Sequence, residues 1–153
     1  MASVFRIDDA QIGFRNFAGK ESQYNPEGNR NFCVFIDDSE FAHELMNDGW
    51  NVRWTKPRNE DDEPRAYMPV KVAFNNYPPN IFMLSNGVKE KLNENNVEVL
   101  DWSDIESCDM EIRPYHWNKG GRSGVSAYLK TLYVKIADDA LDAKYANYGV
   151  ADE

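Results

Sequence analysis

Apolar and polar residues alternate with a period of two along much of this chain, the spacing that turns every second side chain of a strand to the same face. Ile12 and Phe14 alternate with Gly13, Arg15 and Phe17, which predicts a first strand with Arg15 and Phe17 on the face opposite Ile12 and Phe14. The segment 18–29, AGKESQYNPEGN, is polar and holds Pro26 and Gly28, so it reads as a loop. Asn31–Ile36 is apolar on both faces, with Phe32, Val34 and Ile36 on one and Cys33 and Phe35 on the other. Such a run belongs to a central strand or a closed barrel.

The pattern then changes. Asp38 or Ser39 can cap a helix, Phe41/Leu45 and Ala42/Met46 stand at i,i+4, and Gly49 can end it. Trp50, Val52 and Trp54 share a face of a strand reaching Thr55, and the charged segment 56–65, KPRNEDDEPR, is a loop. Met68, Val70, Val72 and Phe74 alternate again, with Pro69 pointing to an edge or a bulge. After a turn at Tyr77–Asn80 come a short strand at Ile81–Leu84 and a short helix near Val88–Leu92. A further short helix, capped by Asp101 or Ser103, contains Trp102 and Ile105. Two strands, near Met110–Trp117 and Val125–Ile136, enclose a Gly-rich turn. In the tail, Leu141, Tyr145 and Tyr148 stand at helical spacings.

These elements predict a mainly β protein with short helices (α+β), best matched by an OB-fold-like closed β-barrel. A β-sandwich is the alternative, because a period of two does not distinguish a closed sheet from two packed ones. The expected organisation is one domain over residues 1–136 and a short acidic helix or tail at 137–153.

Composition narrows the function. The net charge of -9 argues against general affinity for duplex DNA or anionic membranes. Cys33 and Cys108 form no CxxC pair and only two histidines accompany them, so neither a zinc site nor any other cofactor is expected. Cys33, inside an apolar strand, reads as a reduced core thiol. No apolar run approaches the roughly 20 residues needed to span a bilayer. MASVFRIDDAQ carries no secretory leader pattern, so a cytoplasmic location is expected. No Walker, GxSxG, HExxH or GxGxxG motif is present, and an enzyme is not expected. Asp101, Asp104, Glu106, Asp109 and Glu111 leave a metal-dependent nuclease as a distant alternative.

Against this acidic background, Ile112–Ile136 (IRPYHWNKGGRSGVSAYLKTLYVKI) has no acidic residue. It interleaves Arg113, Lys119, Arg122, Lys130 and Lys135 with Tyr115, Trp117, Tyr128 and Tyr133. Cations meet phosphates and rings stack on unpaired bases, so a single-stranded nucleic acid is the ligand this composition fits. Alternation places Arg113, Tyr115 and Trp117 on one face, and Ile112, Pro114 and His116 on the other. Lys119 and Arg122 extend the first set at the turn, and Lys130 lies on the returning strand. A second, weaker set comprises Arg15, Phe17, Lys20, Tyr24 and Arg30, around a first strand whose loop would border an OB-fold groove. The competing reading makes Tyr115 and Trp117 packing residues, with the cations solubilising an exposed edge.

The segments IDDAQIGFRNFAGKESQYNPEGNRNFCVFID, DGWNVRWTKPR and IRPYHW…GVSAYLKTLYV resemble a group of small phage proteins, over roughly residues 7–136. The resemblance is to phage single-stranded DNA-binding proteins, similar to the OB-fold binders of T7-like phages. It implies non-enzymatic, sequence-independent coating of single-stranded DNA in phage replication, recombination and repair. It also implies a homodimer, and phage replication or recombination proteins as partners. Those binders end in an acidic tail; here Lys144, Tyr145 and Tyr148 interrupt a short one. The alternatives are an acidic interaction module that mimics nucleic acid or inhibits a partner, and a virion assembly component.

Overall fold

In a computed structural model of the chain, period-two alternation becomes a sheet with one apolar and one largely solvent-facing side. The structure describes residues 3–23, 25–56, 59, 61–75 and 77–137. In chain order the strands are β1 (Phe5–Ala10), β2 (Ile12–Asn16), β3 (Arg30–Ile36), β4 (Arg53–Trp54), β5 (Ala66–Val72), β6 (Asn80–Ser85), β7 (Val88–Leu92), β8 (Ile105–Lys119) and β9 (Arg122–Ile136). One α-helix, α1 (Ser39–Asn47), and a 3-10 turn, Val97–Asp101, complete the described elements. The protein is mainly β with one short helix, consistent with an OB-like fold.

The main hydrogen-bonded path runs β1-β8-β9-β5-β3-β2, with β4 added on β5, and β6 and then β7 added on β9. Among the described residues no ladder joins the two ends, so the sheet is not closed. The core lies on its inner face, where β3 contributes Phe32, Val34 and Ile36, and β5 contributes Met68 and Val70. Ile112, Leu129 and Leu132, fully buried, come from β8 and β9. The predicted face of β3 is the observed one, because burial of Phe32, Val34 and Ile36 fixes its register.

Helix α1 begins where expected: the Asp38 carboxylate accepts from the backbone N–H of Glu40 at 3.0 Å and of Phe41 at 3.3 Å. It ends in a Schellman pattern, Trp50 N–H to Leu45 C=O and Gly49 N–H to Met46 C=O, both 3.0 Å, with Gly49 at a φ of 94°. Gly49 C=O then accepts from Val125 N–H at 2.9 Å. The helix exit is thus tied to the base of the β8–β9 hairpin.

Several expectations change. Val88–Leu92 is strand β7, not a helix, because it pairs with β6 from Ile81↔Leu92 to Ser85↔Val88. The helix expected around Trp102 and Ile105 is instead the 3-10 turn ending at Asp101, and Ile105 opens β8. β1, for which no element was expected, pairs with β8. β5 is internal, not an edge, and Pro69 stands where its partner changes from β4 at Tyr67 to β9 at Val70. The missing N–H of proline is tolerated at such a break. The Trp50–Thr55 strand shrinks to Arg53–Trp54, with Trp50 buried and bridged to Val125. Beyond Ala137 the predicted tail helix lies outside the described residues, as does Tyr24.

The largest correction is on β2. Its pairing with β3 slips between Gly13 and Asn16, a bulge that reverses the alternation. Phe14, expected beside Ile12, is exposed; Phe17, expected as an outward base-stacking ring, is fully buried. Phe17 stacks on Phe32 with centroids 5.1 Å apart, and its backbone N–H is held by the Asp101 carboxylate at 2.6 Å.

Both thiols are free, but the core one is Cys108; Cys33 is half-buried on the outer side of β3. Burial raises the Cys33 pKa to about 11, against a smaller lowering by Arg53. Burial and, secondarily, Asp109 raise Cys108 to about 12, Arg15 opposing. An unfolded thiol ionises near 9.0, so below that pH this contribution to stability is complete, and it declines as pH rises through about 9 to about 12. Urea unfolding at about pH 8 and about pH 10 should show a smaller alkaline loss in Cys108→Ala than in the wild type. Phe17→Ala should cost about 3–5 kcal/mol of stability in the same assay, the penalty for emptying a packed ring site.

Candidate nucleic-acid interface

β8 and β9 pair from Ile105↔Ile136 to Lys119↔Arg122, so the hairpin outruns the core and its tip stands in solvent. Gly120 and Gly121 make the two-residue turn with φ of 60° and 80°, the left-handed pair that a tight hairpin with strand twist demands. At its base, Ile112 and Leu129 face the core. The alternate positions face out: Arg113 opposite Tyr128, Tyr115 opposite Ser126, and Trp117 opposite Gly124. Tyr115 is 56% exposed and Trp117 37% exposed. The shared face expected for these residues is observed, and of the two readings of the rings, solvent-facing or packed, the structure shows the solvent-facing one.

Each ring is braced by a neighbour on β9. Tyr115 meets the Tyr128 ring edge-on at 5.7 Å. Trp117 lies across Gly124, where a Cβ would come within 2.6 Å of Trp117 Cζ2. Arg113 donates from Nη2 to the Tyr77 carbonyl at 2.7 Å, with its guanidinium 5.4 Å from the Tyr77 ring centroid. Together Tyr77, Arg113, Tyr115 and Tyr128 line a hollow of about 620 Å³. Tyr128 also borders a second hollow of about 670 Å³ over β3, β5 and β9, where Arg30, Arg53 and Lys71 face a single acid, Glu94. Lys71 Nζ stands 5.7 Å from the Tyr128 ring centroid and joins the two.

The charge is segregated. At the other side of the hairpin base, a third hollow is lined by Asp8, Asp9, Asp109 and Glu111, with Arg6 its one cation. Among the described residues no three His, Cys, Asp or Glu side chains are grouped as metal ligands. Two of the acids considered for a nuclease have structural work: Asp101 accepts from Phe17 and Ala18 N–H, and Asp109 from Asp9 N–H.

The candidate residues do not all share one site. Arg113, Tyr115 and Trp117 share the outer face, and Arg30 lines the neighbouring hollow while donating to the Phe17 carbonyl at 2.6 Å. Lys119 and Arg122 are exposed at the hairpin tip, and Lys130 is the exposed extra residue of a bulge between Leu129 and Thr131. Lys20 is exposed in the loop after β2, its backbone tied to Asn16 Oδ1 at 2.8 Å. Arg15 is turned away from the face: its Nη1 donates to Leu100 C=O at 2.8 Å and Ser103 C=O at 2.7 Å. It caps the 3-10 segment, and those carbonyls leave it poorly placed for phosphate. Phe17 is in the core.

Arg53, Lys71, Tyr77 and Tyr128 lie outside the candidate set that the sequence suggests. Lys71 and Tyr128 are signalled by alternation, as the outward positions beside Val70 and Ala127, their register being Lys71↔Tyr128. Tyr77 comes from an irregular turn, and period-two reasoning does not reach it.

A mainly β, OB-like sheet whose open face alternates rings and cations defines a class of single-strand-binding folds. The family model described as "Putative phage ssDNA-binding domain" matches residues 2–153, and the chain belongs to that family. The single-stranded DNA-binding protein of bacteriophage Enc34, solved as a C-terminal truncation, shares the fold with a TM-score of 0.59 at 10% identity, over 90% of this chain and 87% of that one. The same Enc34 protein solved in complex with ssDNA gives 0.58 at 9% identity, over 90% and 88%. The bacteriophage T7 gp2.5 structure gives 0.45 at 11% identity over 98% of each chain. No curated protein matches.

Arg15→Met removes two donors from carbonyls that stay half-buried, so it should cost about 1–3 kcal/mol of stability in urea unfolding. Its affinity for single-stranded DNA, corrected for the folded fraction, should stay at the wild-type value. Gly124→Ala should push the Trp117 ring off the strand and increase acrylamide quenching of tryptophan fluorescence.

Proposed function

We propose that this chain binds single-stranded DNA without reading its sequence, along the outer face formed by β8, β9, β5 and β3. One observation carries the reading. Tyr115 and Trp117 stand in solvent beside Arg113, on the outward side of a strand whose inward side is core up to Ile112. A purely structural hairpin has no need of two such rings, whereas a base stacks on either of them irrespective of its identity. Arg113, Lys71 and Arg53 would meet phosphates along the two hollows, with Lys119, Arg122 and Lys130 adding charge at the tip and on β9. The acidic hollow on the β1 side, further down the outward side of β8, would repel the strand and help confine it to the cationic part of the sheet.

The Enc34 relative's structure with ssDNA supports the choice of ligand. Family membership supports a role in phage DNA replication, recombination and repair, as a binding protein and not an enzyme, within the host cytoplasm. Assembly as a homodimer and contact with phage replication or recombination proteins belong to the same proposal, as does completion of the OB-like sheet into a barrel.

Titration with oligothymidylate at low salt should quench tryptophan fluorescence. The log–log slope of affinity against salt should be about -0.7 for each phosphate neutralised. Trp117→Ala should weaken binding by about 1–3 kcal/mol while leaving stability unchanged. Absence of both quenching and a gel shift at low salt would reject the reading. Duplex DNA should compete poorly, since it offers no unpaired base to stack.

A further inference from the structure

The bulge in β2 does something the alternation of the chain would not. It turns Phe14 outward, 66% exposed, with a φ of 47°. A bulky non-glycine side chain is rarely left in that left-handed region, and bulges recur where a side chain is re-aimed next to a functional site. Phe14 therefore combines strained backbone with a large apolar ring in water.

The ring is not isolated. Its centroid is 6.3 Å from that of Phe35 and 5.7 Å from that of Tyr67, which are 6.4 Å from each other. Phe35 is fixed from both sides. It lies against Gly13, where a Cβ would fall 2.8 Å from Phe35 Cε2, and beneath the Arg65 guanidinium at 4.0 Å from its centroid. Arg65 is itself held by Asp37 at 2.8 Å and Gln11 at 2.6 Å. The result is a supported aromatic platform with Phe14 as its exposed member.

The platform faces the same way as the hairpin rings. On β5, Tyr67, Pro69 and Lys71 alternate with the buried Met68 and Val70. Arg53 stands opposite Tyr67, and Arg53, Pro69 and Lys71 line one hollow with Tyr128, which also lines the adjoining hollow with Tyr115 and Arg113. From Tyr115 on β8 to Phe14 on β2 the sheet crosses β9, β5 and β3, about 19 Å along its surface at about 4.8 Å per strand step.

We propose that Phe14, backed by Phe35 and Tyr67, is a second base-stacking station, and that one DNA strand runs from the hairpin to it past Lys71 and Arg53. This rests on the single-stranded DNA reading above and extends it: the binding face is long, with rings at both ends and cations between. Stacking at two separated stations links their affinities through the intervening strand, so only an oligonucleotide long enough to bridge them gains from both.

The test uses the full chain with oligothymidylates of about 4 and about 16 nucleotides, the limits reported for one OB fold. Phe14→Gly removes the ring and relieves the left-handed backbone, so folding should be retained; Phe14→Asn, also tolerated there, is the second variant. In both, the advantage of the long oligonucleotide over the short one should shrink roughly tenfold, within the range for one stacked base. Trp117→Ala is the control for the hairpin. If the Phe14 variants bind both lengths like the wild type while Trp117→Ala weakens binding, the second station is wrong and the DNA reading stands. An equal loss at both lengths would put Phe14 in the primary contact and overturn the two-station path. Failure of the wild type to bind either oligonucleotide would sink the underlying reading, and this inference with it.

Discussion

The antiparallel ladder between β8 and β9 carries both the core and the binding face, and keeps one register from Ile112↔Leu129 to the hairpin tip. Each strand is 15 residues long, and pairing continues from one end to the other. At the base, burial of Met110, Ile112, Leu129 and Leu132 fixes which residues face inward. The same register propagates past the core, where no apolar contact would choose between faces, and delivers Arg113, Tyr115 and Trp117 outward. A slip of one residue would send those rings inward and the core leucines into water, so the hydrophobic effect at one end of the ladder sets the chemistry at the other. The Gly49–Val125 hydrogen bond and the buried Trp50 brace the arm where it leaves the sheet.

Charge is arranged on the same principle. A chain with a net charge of -9 cannot attract nucleic acid as a whole, so an attractive face has to be local. Cations of the open face come from strands far apart in sequence: Arg53 from β4, Lys71 from β5 and Arg113 from β8. The acids Asp8, Asp9, Asp109 and Glu111 gather on β1, its end and the base of β8. Separation of the two signs follows from strand order, since β1 and β3–β5 lie on opposite sides of the β8–β9 pair.

Alternation made some of this legible and concealed the rest. The facing of Arg113, Tyr115 and Trp117 could be read because a regular strand has one period and its buried set is obvious. The cap at Asp38 was legible because it is local, a carboxylate within three residues of its donors. Phe14 and Phe17 were exchanged because a bulge adds a residue without leaving a mark in composition. Arg15 was misplaced because its carbonyl partners, on Leu100 and Ser103, are more than eighty positions away. β7 reads as a helix in the sequence because five residues, VKEKL, fit either period, and only pairing with β6 decides between them.

By itself, then, the chain determined a mainly β fold, an acid-free hairpin and the set of residues sharing one face of its first strand, all consequences of side-chain period and local charge. Tertiary structure decided which cations share the face, which arginine caps a turn instead of meeting a ligand, and which of two phenylalanines on β2 is core. The reason is physical. Periodicity reports only the neighbours a residue has along its own strand, whereas bulges, strand order and long-range hydrogen bonds depend on neighbours brought in from elsewhere in the chain.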